Sequence, residues 1–115
     1  MVNFGENYRA GHIYSVADKK GFRVAKVLAV DTDAVHIRLY KNIFVTRPLE
    51  VDESALTLGK AFDPDGFGIG HLPLSPDEFR TWAPIFIKAG SVLQDELEGY
   101  EVWKQSHGGV WNSQG

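Results

Sequence analysis

The chain has no cysteine and a single methionine among its 115 residues. Without thiols it can build no disulfide framework, no thiolate nucleophile and no zinc site based on cysteine. Long apolar runs are missing too. The longest is only a few residues, far short of the roughly 20 a membrane-spanning helix needs. The opening segment, MVNFGENYRAG, has no basic stretch followed by an apolar one, so no secretory signal is expected and the expected location is the cytoplasm.

What is present suits a folded domain. Hydrophobic residues make up 43% and charged residues 23%, enough to bury a core without polyelectrolyte character. Seven Phe, four Tyr and three Trp supply much of that core. The length fits one domain over residues 1–115. The net charge of −3 is unevenly spread. Residues 1–49 carry eight Lys/Arg against four Asp/Glu, and residues 50–115 carry four against eleven. Such a dipole can dock the two halves, pair with a second copy or steer a charged partner.

The first half reads as β-structure. GHIYSVAD (11–18), FRVAKVLAVD (22–31) and VHIRLYK (35–41) are strand-like and are separated by the turn signals KKG and DTD. In the third, Val35, Ile37 and Leu39 alternate with His36, Arg38 and Tyr40. An antiparallel meander is the expectation, with NIFVTRP as a fourth strand ending at Pro48. Residues 50–61 suggest one helical turn stopped by Gly59.

After residue 75 the apolar period lengthens. SPDEF starts a helix, with Ser75 as N-cap, Pro76 in the first turn and Glu78 in capping-box position. PIFIKAG predicts a further strand. SVLQDELEGYEVWKQ predicts a second helix capped by Ser91 and weakened at Gly99, and SHGGVWNSQG a loose tail. The fold class expected is α+β, a curved antiparallel sheet with two short C-terminal helices packed on it.

The stretch FDPDGFGIGHLPLS (62–75) concentrates the candidate chemistry. Gly66, Gly68 and Gly70 miss the G-x-G-x-x-G dinucleotide spacing, because His71 stands at the sixth position. Asp63, Asp65 and Gly66 start like a calcium loop, but Leu72 stands where its bidentate glutamate belongs. No metal, cofactor or catalytic residue is therefore expected. His71 with Asp63 or Asp65 is the pairing a small metal-dependent or hydrolase-like enzyme would use. The architectural reading makes the stretch a buried junction. In it Gly66, Gly68 and Gly70 form a bare face for a ring such as Trp82 or Trp103, while Phe67, Ile69 and His71 face the other way. Asp63, Asp65, Phe67 and His71, with the strand stripe His36, Arg38 and Tyr40, are the candidate partner-binding or junction residues. That stripe would also be the footprint of a nucleic acid, which the acidic balance disfavours.

GHIYSVADKKGFRVAKVLAVDTDAVHIRLY is similar to the small curved sheet of Tudor-like barrels, which implies a curved meander approaching a partial barrel. VHIRLYKN, DPDGFGIGHLPLS and LEGYEVWK together resemble a family of small bacterial proteins without a described role. A looser likeness to immunity proteins of bacterial toxin systems implies a protein partner. The expected function is a small, non-enzymatic protein-binding module, with the enzyme as the alternative.

Overall fold

A computed structural model describes residues 8–60 and 66–111. Five strands form one antiparallel sheet: β1 (His12–Asp18), β2 (Gly21–Val30), β3 (Val35–Leu39), β4 (Ile69–Leu74) and β5 (Ile85–Ala89). Their order across the sheet is β4-β3-β2-β1-β5, so the first three strands are the expected meander. The sheet is open and does not close into a barrel. Helix α1 (Pro76–Thr81) follows β4, and α2 (Glu98–Gln105) ends the order of elements. Short 3-10 turns occupy Glu53–Ala55 and Gln94–Leu97. Among the described residues no helix is long and apolar enough to cross a membrane.

Strand alternation divides the core between the two faces of the sheet. On one face Tyr14, Val16, Ala25, Val27, Val35, Ile37, Leu39 and Leu74 pack with Phe79 of α1. Aromatic edge contacts tie Tyr8, Tyr14, Phe79 and Phe86 together there, with centroids 5.0–5.9 Å apart. α1 forms as its sequence predicts. Ser75 Oγ accepts the Glu78 N–H at 3.0 Å, and Pro76 opens the helix. The Glu78 carboxylate accepts the Trp82 indole N–H at 2.8 Å.

On the opposite face Ile13, Val24 and Tyr40 are covered by Phe44, Val51, Leu56, Leu58 and Ile87. Most of this cover comes from residues 41–58, which form a strap rather than a fourth strand. NIFVTRP contributes only one bridge, between Phe44 and Phe22. The strap is held instead by side chains. Arg47 donates to Ser15 O (3.1 Å), Ser15 Oγ (2.8 Å) and Ala83 O (3.0 Å), and lies over the Phe22 ring. The helical turn expected in 50–61 is the 3-10 turn capped by Asp52, and it ends at Leu56 rather than at Gly59. Ser91 does not cap the last helical segment, whose 3-10 turn begins after Leu93.

A bulge in β4 decides where the site lies. Ile37 pairs with Leu72 but Leu39 pairs with Ile69, so β4 holds one residue more than β3 over this interval. Ile69 and Leu72 therefore both reach the α1 face, and His71 points to the other. Ile69 and His71 do not share a face as the simple alternation predicts. The glycine face is also different from expectation. Leu58 covers Gly68 and Gly70, and a Cβ on Gly68 would meet the Leu39 carbonyl and Leu58. Trp82 packs on the opposite core, and Trp103 packs on His36. Phe67 is 49% exposed and stays out of the core. The stretch is buried only in part. The tail is less loose than expected up to Trp111, whose N–H donates to Pro73 O at 2.8 Å and which bridges to Leu74 along the outer side of β4.

Candidate functional site

Polar groups concentrate on the strap side of the sheet, in two adjoining clusters. The first is built on Lys26, a fully buried residue in the middle of β2. Its ammonium donates to Glu53 Oε2 at 2.6 Å and to Glu96 Oε1 and Oε2 at 3.0 and 3.3 Å. Each glutamate belongs to one of the 3-10 turns, so a single buried cation clasps both turns to the sheet. Glu96 also accepts the Leu93 N–H at 2.8 Å. Burial alone would raise its pKa, but the Leu93 N–H, Lys26 and Arg38 together hold it below the ordinary carboxylate value. Beside this cluster the Tyr40 hydroxyl is pushed up to about 12, by burial first and then by the charges of Glu96 and Glu53. With Arg38 next to Lys26 in the β2–β3 register, two cations stand with two carboxylates on this face.

The second cluster is a chain of hydrogen bonds. The Asp31 carboxylate pairs with His36 Nε2 at 2.9 Å and accepts the Tyr100 hydroxyl at 3.1 Å. His36 Nδ1 and His71 Nε2 stand 2.9 Å apart. A carboxylate at Asp31 puts the His36 proton on Nε2, which leaves Nδ1 to accept the N–H of His71. The rings are stacked within 10°, and the edge contacts of Tyr100 and Trp103 with His36 have centroids at 4.6 and 4.4 Å. His36 is 0% exposed. Burial lowers its pKa, with Asp31 pulling the other way; burial and then the neighbouring His36 bring His71 down to about 4. Both shifts favour the neutral imidazole. Outside Asp31 lies a shallow cleft of about 410 Å³, bordered by Thr32, Asp33, Trp103 and residues 108–110.

The sequence-derived candidates separate clearly. His36, Arg38 and Tyr40 do share a face, but α2 and the strap lie over it, and His36 and Tyr40 are buried. His71 Nε2 stands 2.9 Å from His36 Nδ1, where β4 meets β3. Phe67 lies elsewhere, and its carbonyl accepts from Arg23 Nη2 at 3.1 Å. Asp63 and Asp65 lie outside the described residues. Of the four histidines only His36 and His71 are in contact with each other; His12 packs on Phe86 at 4.9 Å. Among the described residues no group of three or more His, Asp or Glu forms a metal cage.

Sequence reading missed Lys26, Glu53, Glu96, Asp31 and Tyr100. One signal was available for Lys26, the lone charge inside the apolar run VAKVLAV. No comparable signal marks its two glutamates, which lie in turns 27 and 70 residues away. Comparisons with protein-family models, curated proteins and solved structures find no match to this chain.

Proposed function

We propose that this chain is a small protein-binding module that receives its partner along β5 and the adjoining strap. The observation that carries this reading is the unequal treatment of the two sheet edges. At β4 the edge holds Pro73 and is lined by Trp111, two ways of blocking strand addition. At β5, by contrast, Ile85 and Phe86 are each about half exposed, and among the described residues no strand pairs beyond it. The strap adds Val45 and Leu49, 89% and 79% exposed, on either side of the Arg47 that anchors it at Ser15 and Ala83. Ser15 is the register partner of Ile85. An open edge with apolar side chains to either side is the surface that a partner strand uses, with main-chain hydrogen bonds for affinity and side-chain contacts for specificity.

A catalytic reading built on His71 with Asp63 or Asp65 has less support. His71 spends Nε2 on His36 and lies beneath Gly99 of α2.

The test compares two baits in a native-host lysate, the wild-type chain and Phe86→Glu, once the two are shown to melt together. A protein captured by the first and lost from the second supports the reading. Identical captures overturn it. Light scattering of both proteins tells whether the partner is a second copy.

A further inference from the structure

We propose that α2 is an acid-released flap, latched onto the His36–His71 pair of β3 and β4 and hinged where it joins the Gln94–Leu97 turn. α2 contributes no buried residue, so little apolar area holds it down. Its inner side lands almost wholly on titratable groups. Gly99 sits against the His71 ring, Tyr100 donates to Asp31, and Tyr100 and Trp103 pack edge-on to His36. Trp103 also stacks on Tyr100 and is tied to the following loop through Gly109 O and the Gly108 N–H.

Proton counting shows why acid opens this latch. In the neutral pair one N–H fills the 2.9 Å gap between His36 Nδ1 and His71 Nε2. A first added proton is tolerated, because His36 then donates from both nitrogens while His71 accepts and carries its own proton on Nδ1. A second puts two N–H groups and two cations face to face beneath Gly99, Tyr100 and Trp103, where the covering helix keeps that charge from water. Of the surrounding groups, Asp31 favours the first proton. Arg38 on β3 and Lys104, 5.9 Å over the Tyr100 ring, oppose further positive charge; Tyr100 stays neutral, and the loop after α2 carries His107. Undocking α2 returns both imidazoles to water, where they take protons more readily, so acid favours the open form. The hinge side is held by Lys26, and the Leu93 N–H and Lys26 keep the Glu96 carboxyl below its ordinary pKa. The α1-side core is on the other face and is untouched.

Backbone hydrogen exchange, expressed as protection factors, tests this at pH 7 and pH 4.5. The expected result is at least a tenfold loss of protection in 99–105 at the lower pH, while 24–28 of β2 stay far better protected than α2. His71→Gln keeps an N–H for His36 Nδ1 but takes up no proton, so its α2 should hold its protection at pH 4.5. Protection in 24–28 no higher than that in 99–105 at pH 4.5, or the same loss in H71Q as in wild type, overturns the proposal. Should H71Q fail to fold, ring-proton titration of the wild-type histidines decides. Their midpoint must coincide with that of α2 opening, and a separation of more than about one pH unit rejects the latch.

Discussion

Lys26 and Glu96 are separated by 70 residues in sequence and by 3.0 Å in space, and the bond between them is buried. A buried ion pair gains its Coulombic energy against a large desolvation cost, so losing one partner is worse than losing both. Lys26→Met should therefore cost about 3–5 kcal/mol by leaving Glu96 buried and uncompensated. The double variant Lys26→Met, Glu96→Met should recover most of that. Urea denaturation of the two proteins measures the difference. Equal losses would mean that Glu96 finds another partner.

Gly68 and Phe67 are neighbours with opposite sensitivities. Alanine at Gly68 would press on the Leu39 carbonyl and on Leu58, whose own carbonyl accepts the Gly68 N–H at 2.6 Å. The expected loss is about 1–3 kcal/mol, as for overpacking a core. Phe67→Ala should cost at most about 1 kcal/mol, because half of the ring is already in water. Thermal melts of both variants check the ranking.

Ser75 stands alone in satisfying the Glu78 N–H with its side chain at the start of α1. Ser75→Ala should lower stability by about 1 kcal/mol and Ser75→Asp by much less, since aspartate caps equally well. A larger effect from aspartate than from alanine would show that the hydroxyl does something other than capping.

The histidine contribution to stability should fall as the pH drops below about 6.5, and the His71 part of it should level off near 4. The folded chain holds His36 and His71 below their ordinary pKa, while the unfolded chain protonates them at about 6.5. Acid thus favours the unfolded state across that window, and the contribution is fully present only above it. For His71 the loss between pH 7 and 4.5 should be on the order of 2 kcal/mol, at about 1.4 kcal/mol per pKa unit. Denaturant titrations at both pH values measure it, and His71→Gln should lose less than wild type.

Local patterns carried the fold further than they carried the site. The meander was legible because alternation and turn chemistry act within a few residues, and so was the Ser75–Pro76 helix start. The bulge in β4 was not counted, although a glycine such as Gly70 inside a strand marks that feature. That one residue decides whether His71 faces Ile69's core or His36. The polar clusters needed tertiary information. Asp31, His36, His71 and Tyr100 come from four separate segments, and periodicity within any one of them says nothing of the others.

The strand order also sets a schedule for the growing chain. β1, β2 and β3 are consecutive hairpins and can pair as soon as they are made. β1, however, waits for its outer neighbour until residues 85–89 exist, and α1 must lead the chain from one border of the sheet to the other. During synthesis a three-stranded intermediate therefore carries two open borders, one of which includes the apolar Ile13, Tyr14 and Val16. That interval, rather than the finished protein, is when this chain is most prone to aggregate with its own copies.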